Sequence, residues 1–142
     1  MQNIILAFAI VLLTSVSTFA QCDKKVKWQA TKAEMLDQSG TVVDTKQGTI
    51  NITTDSKNIS LEIVENPGDK LEGTISEHSC DWKEAFKNGK TSFKANLNNP
   101  NGETAVGTFT IEGKDGKLTI TMQLDRMDGK TIRIAVEKHE VI

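Results

Sequence analysis

Short segments in which apolar and polar residues alternate fill the chain from about Val26 to its end. The clearest one interleaves four apolar residues with threonine, glutamine and aspartate: Leu118, Thr119, Ile120, Thr121, Met122, Gln123, Leu124, Asp125. This period of two is typical of a strand with one buried and one solvated face. Turn-forming residues, such as Asp115-Gly116, separate the segments. The pattern predicts an all-β domain of about eight strands.

Successive hairpins make an antiparallel meander, and each strand of this meander has one apolar face. Such a sheet must close on itself or fold into two packed sheets to bury that face. Closure also removes the exposed strand edges that favour aggregation. We therefore expect an up-and-down β-barrel, with a β-sandwich as the alternative. In the first strand the apolar residues change from even to odd positions between Ala30 and Ala33. This change predicts a β-bulge near Thr31.

Residues 81–87 interrupt the alternation. Trp82 and Phe86 are four positions apart, a spacing that places two side chains on one face of a helix. Asn88 and Gly89 follow and are suited to ending a helix. The sequence therefore predicts one short helix between strands four and five, in which the two aromatic side chains plug an open end of the barrel.

The first twenty residues differ in composition from the rest. Residues 4–13 form a nearly unbroken apolar run, which is followed by small and hydroxylated residues. The run is too short to span a bilayer and is typical of a secretory signal peptide. With cleavage after Ala20, residues 21–142 form a single domain with no transmembrane segment. We expect this domain to be secreted or periplasmic.

Cys22 and Cys80 are the only cysteines. An even number of cysteines in an exported chain predicts a disulfide, which leaves no free thiol for nucleophilic or redox chemistry. Closure of this loop stabilises the fold by about 4 kcal/mol in the chain-entropy model. Such a bridge would attach the beginning of the domain to its middle.

Charge and motifs exclude several functions. The 17 basic and 19 acidic residues give a net charge of −2 without a basic stripe, so nucleic acid and anionic membranes are poor candidate partners. No catalytic motif is present. His78 and His139 stand alone, so we expect neither a metal site nor a cofactor, and no enzymatic activity. Asn51 and Asn58 match the N-glycosylation pattern.

The leader, a tryptophan early in the first strand, the hairpin meander and the single disulfide together resemble the calycin superfamily, which contains the lipocalins. In lipocalins the early tryptophan follows a Gly-x pair and packs against a basic side chain from late in the chain. Trp28 occupies the matching place behind Val26-Lys27, and Arg126 and Arg133 are the late arginines. The resemblance covers the chain from Val26 to about Glu140 and implies an eight-stranded barrel architecture. Classical lipocalins place their helix after strand eight.

The barrel interior is the remaining place for a function. Five small residues are expected to face inward, beside larger side chains that would line a ligand site: Ala30, Gly73, Ala95, Ala105 and Gly107 beside Trp28, Phe93, Phe109 and Met122. The small residues either leave a cavity or let their neighbours interlock into a solid core. No inward charged residue is evident, so any ligand would be apolar.

The sequence thus favours a monomeric, non-enzymatic binding protein for a small apolar ligand. The alternative is a secreted protein-interaction module with a solid core, such as an enzyme inhibitor. This alternative resembles the small bacterial protease inhibitors that are built on an eight-stranded barrel with one disulfide. Its partner would be another secreted protein, and its working surface would be the N-terminal arm at residues 21–25 or the segment that carries Trp82 and Phe86.

Overall fold

A computed structural model describes residues 21–142. The predicted leader lies outside the described residues. Within them the chain forms nine strands: β1 (Val26–Leu36), β2 (Val42–Thr54), β3 (Asn58–Ile63), β4 (Leu71–Glu84), β5 (Asn88–Asn98), β6 (Thr104–Lys114), β7 (Lys117–Leu124), β8 (Thr131–Ala135) and β9 (Lys138–Val141). A 3-10 turn at Pro67–Asp69 lies between β3 and β4.

The strands close into a barrel. Each strand from β2 to β7 pairs antiparallel with the strand that follows it, and β1 pairs with both β2 and β8. β9 continues the line of β8 and pairs with the first residues of β1. β8 and β9 together therefore occupy one of the eight strand positions around the barrel. The expected meander and barrel are confirmed, and the sandwich does not form.

The predicted helix between strands four and five is wrong. β4 extends through Glu84 and forms a hairpin with β5, in which Trp82 pairs with Gly89. The Trp82 indole points inward and donates its N–H to the Thr91 hydroxyl of β5 at 2.7 Å. Phe86 follows in the turn with a φ of +59°. The four-residue spacing thus reflects a strand and its turn, because the turn brings Phe86 back over the barrel end.

No helix within residues 21–142 is long and apolar enough to cross a lipid bilayer.

Local features of the meander follow the sequence. Asp115 and Gly116 have φ values of +53° and +81°, as the tight turn of a two-residue hairpin requires. The pairing of β1 with β2 shifts its register between Ala30 and Lys32, which confirms the bulge predicted near Thr31. Beyond the bulge, Ala33 lies opposite Ile134 of β8 and faces the barrel interior.

One half of the barrel has a solid core. Phe93 and Phe109 stack there with ring centroids 5.1 Å apart. Glycines make room for the large rings: a Cβ added at Gly113 would lie 2.7 Å from the Trp82 ring, and one added at Gly107 would lie 2.6 Å from the Phe109 ring. In this half, small inward residues let large neighbours interlock, so the space beside them is filled.

Candidate ligand site

The other half of the barrel contains a cup-shaped cavity of about 260 Å³. It lies at the end that carries the β1–β2, β3–β4, β5–β6 and β7–β8 connections, and we call it the cup. Its walls are aliphatic or methionine side chains of the strands: Ala33, Met35, Ile50, Leu61, Ile63, Leu71, Met122, Leu124, Ile132 and Ile134. The cup is therefore an apolar container with one mouth.

The distribution of aromatic residues explains why only this half is hollow. Trp28, Trp82, Phe93 and Phe109 are all at most 3 % exposed and pack into the core of the opposite half. No aromatic side chain lines the cup. Aliphatic side chains are too short to meet across the barrel at this level, so the space between them stays open.

The mouth of the cup is polar. Asp44 and Lys46 of β2 lie directly opposite Met35 and Ala33 of β1, and directly opposite residues share a face of the sheet. Both charged side chains therefore lie on the inner face and line the cup, together with Asp69 from the β3–β4 connection. The expectation that no charged residue faces inward is wrong, because every second residue of β2 continues to face inward as far as the mouth of the cup.

Hydrogen bonds fix the connections at the mouth. The Glu65 carboxylate accepts the backbone N–H and the hydroxyl of Thr49, each at 2.8 Å. The Thr49 hydroxyl, followed by backbone N–H groups, lowers the pKa of Glu65 below its usual value. In the β1–β2 turn, Asp37 accepts the Ser39 hydroxyl at 2.7 Å, which is the main reason that the pKa of Asp37 is lowered. Two ionised carboxylates therefore hold these connections in place.

The ligand-lining residues predicted from sequence are divided between the two halves. Met122 lines the cup. Phe93 and Phe109 lie in the solid core. Trp28 is also in that half, where its indole N–H is donated to the Thr54 hydroxyl at 2.9 Å.

The arginine expected from the lipocalin resemblance does not contact Trp28. Arg133 lies on the outer face of β8, with its guanidinium 3.4 Å from the Glu34 carboxylate. Trp28 instead packs near Phe86 and His139, whose rings stack with centroids 4.7 Å apart. The neighbours of Trp28 at this barrel end are therefore aromatic rings, not the basic side chain that the resemblance implied.

Sequence reasoning did not identify most of the cup. None of the five small inward residues lines it. Its walls come from the inward positions nearest the connections at one end, such as Met35, Leu61 and Ile132. The closeness of these positions to turns was visible in the sequence. What was missing is the register, which decides that these strand ends meet at one level around the barrel.

The end opposite the cup is closed by the N-terminal arm, residues 21–25. The predicted Cys22–Cys80 disulfide is present and joins the arm to β4. The Gln21 side-chain carbonyl accepts the backbone N–H of Phe86 at 2.8 Å. Trp82 beneath is only 2 % exposed. Trp82 is therefore not available to contact a partner, although the inhibitor hypothesis had proposed it for that role.

Asn51 and Asn58, which match the glycosylation pattern, lie away from the cup. The Asn51 side chain accepts the Gln29 side-chain amide at 3.1 Å on the outer face of the barrel. Asn58 begins β3 and is exposed. Their modification stays a prediction.

Compared with protein-family models and with curated proteins, the chain matches none of them. The geometry of the cup and the chemistry of its walls and mouth therefore carry the functional information.

Proposed function

We propose that this protein binds a small, mainly apolar molecule in the cup without transforming it chemically. The supporting observation is a hollow, apolar half within a barrel whose other half is solid. The strand side chains that form the wall are aliphatic or methionine. The wall therefore offers no side-chain polar group to a deeply placed ligand, and the burial of apolar surface drives binding.

The size and the mouth of the cup limit the ligand. Its volume of about 260 Å³ is below the range of roughly 300–1,000 Å³ that is usual for drug-sized ligands. A molecule that buries roughly 200 Å² of apolar surface gains about 5 kcal/mol, so we expect a dissociation constant of the order of 0.1 mM. The flexible side chains of Met35 and Met122 let the wall adapt to the shape of the ligand. Asp44, Lys46 and Asp69 favour a ligand with one polar end at the mouth.

The disulfide supports an oxidising compartment, where such bonds persist. With the apolar leader predicted at residues 1–20, we propose that the protein acts outside the cytoplasm, as a secreted or periplasmic binding protein. In that setting a cup closed at one end would hold a sparingly soluble molecule and release it by the same mouth.

Methyl NMR of the methionines tests this proposal, with 1-octanol as the probe. Met35 and Met122 line the cup, whereas Met127 follows β7 and does not line it. We expect saturable shifts of the Met35 and Met122 methyl signals and none at Met127. The variant Ile132→Trp fills the cup with an indole and should abolish these shifts. Val106→Trp is the matched control, because Val106 is 43 % exposed outside the cup.

Thermal unfolding of both variants shows whether each remains folded. Binding that persists in Ile132→Trp, or octanol shifts that are as large at Met127 as at the other two methionines, would contradict the proposal.

A further inference from the structure

The first half of β2 has an unpaired edge. β3 pairs only with residues 50–54 of β2, and no other described strand lies along residues 42–48 on that side. On the other side this half pairs with β1. Val42 and Val43 are 40 % and 51 % exposed. An edge of this kind, seven residues long and with exposed valines, can pair with another strand.

The direction of the backbone groups along this edge follows from Thr49. Its carbonyl accepts the N–H of Val64, and its N–H is donated to Glu65, so both groups point to the β3 side. Backbone groups alternate in direction along a strand, which directs those of Thr45 and Gln47 to the same side. The Thr45 N–H is consistent with this direction, since it is donated to the Asp44 side chain at 2.8 Å.

The residues of this edge are complementary to a second copy of themselves. In an antiparallel pair centred on Thr45, this residue faces its own counterpart and exchanges both backbone hydrogen bonds with it. Asp44 then lies directly opposite Lys46 of the second copy, and Lys46 lies opposite the other Asp44. These are non-hydrogen-bonded positions, where side chains are closest. Both charge pairs are therefore favourable at once.

We propose that two copies of this chain associate through the residue 42–48 edge of β2 about a two-fold axis at Thr45. The surface is isologous, so the pair closes and does not extend into a fibre. On pairing, the Asp44 carboxylate gives up its hydrogen bond from the Thr45 N–H and forms an ion pair with Lys46 of the partner copy. Because the edge is short, it buries less than the 1,200–2,000 Å² that stable interfaces bury. The dimer is thus weak and dissociates on dilution.

This dimer places the two cups side by side, since Asp44 and Lys46 line both the edge and the mouth. The inference does not depend on a ligand, because it rests on the register and the charges of β2 alone. From the sequence alone there was no reason to expect more than a monomer. Register supplies that reason, because it shows which residues of β2 are left without a neighbour.

Sedimentation velocity over a concentration series tests the proposal. The unmodified protein should shift from monomer to dimer as its concentration rises, and added salt should weaken the dimer. Asp44→Lys and Lys46→Asp each place like charges opposite one another, and each should raise the dissociation constant by about tenfold or more. An equimolar mixture of the two variants should associate again, because its mixed pair aligns lysines with aspartates.

Two further variants separate this edge from other surfaces. Thr45→Pro removes an N–H that points away from β1, so it should abolish the dimer while the thermal stability stays near that of the unmodified protein. Lys117→Asp alters an exposed lysine at the other end of the barrel and should leave the dimer intact. A monomer at every concentration, a dimer that survives Thr45→Pro, or single variants that fail to associate when mixed would each overturn the proposal.

Discussion

A single hydroxyl group links the disulfide to the aromatic core at the closed end. Thr91 Oγ1 accepts the indole N–H of Trp82 at 2.7 Å and lies 3.4 Å from Cys22 Sγ. A disulfide sulfur carries no proton, so the threonine hydroxyl is the donor in the second contact. Thr91 is only 6 % exposed, and water cannot replace it as a partner. The indole N–H of Trp82 thus depends on one side chain.

We expect Thr91→Val to lower the free energy of unfolding by about 1–3 kcal/mol, because valine has nearly the same shape but leaves a buried indole N–H without an acceptor. Urea denaturation of the oxidised protein measures this change. Thr108→Val is the matched control, since Thr108 is exposed on the outer face of β6. Equal losses in the two variants would show that the buried hydrogen bond contributes little.

Among the elements, the N-terminal arm has no strand partner and relies on side-chain links. The Cys22–Cys80 disulfide spans 58 positions of the sequence, and the Gln21 carbonyl holds the turn after β4 through the Phe86 N–H. The arm is therefore attached to β4 at Cys80 and to the turn that follows this strand.

Reduction of the disulfide should lower the free energy of unfolding by up to about 4 kcal/mol, through the greater freedom of the reduced unfolded chain. Urea denaturation with and without a reductant gives the difference. The double variant Cys22→Ser/Cys80→Ser should match the reduced protein, which controls for effects of the reductant itself. Identical midpoints for the oxidised and reduced proteins would show that the arm is held by its other contacts.

The elements were predictable from sequence where local pattern decides them. Period-two alternation and the Asp115-Gly116 turn identify strands and hairpins without tertiary information. The segment around Trp82 was not predictable in this way, because a spacing of four suits a helix and also a strand followed by a tight turn. Pairing with β5 decides between them, and that pairing is a long-range property.

The cup could be predicted only in part for the same physical reason. The inward faces of the strands were readable, and Met122 was among the residues expected to line a ligand site. The level at which Leu61, Ile132 and Met35 meet is set by the shear of the closed barrel and by the bulge after Ala30. The inward position of Lys46 depends on that register too, so a list of apolar residues did not include it.

At the scale of the whole molecule, the barrel combines a solid half with a hollow one. Aromatic packing, the arm and the disulfide all stabilise the closed half. The half around the cup has fewer buried contacts, and there β2 carries an unpaired edge. Local opening is favoured where buried contacts are few and strand edges are exposed. A ligand must enter through this half, so its lower local stability suits a site that loads and releases from one mouth.

Native-state hydrogen exchange tests this division on a single strand. The backbone groups of Lys46 and Ile52 both point to β1, but Lys46 lies at the mouth and Ile52 in the closed half. We expect the Ile52 amide to exchange only through global unfolding and the Lys46 amide to exchange at least about 100-fold faster through local opening. Low concentrations of urea should accelerate the exchange of the Ile52 amide alone. The Lys46 amide exchanges through local opening, which exposes little surface and therefore responds little to urea. Equal rates with equal urea dependence would show that the barrel opens as one unit and that the half around the cup is no less stable than the closed half.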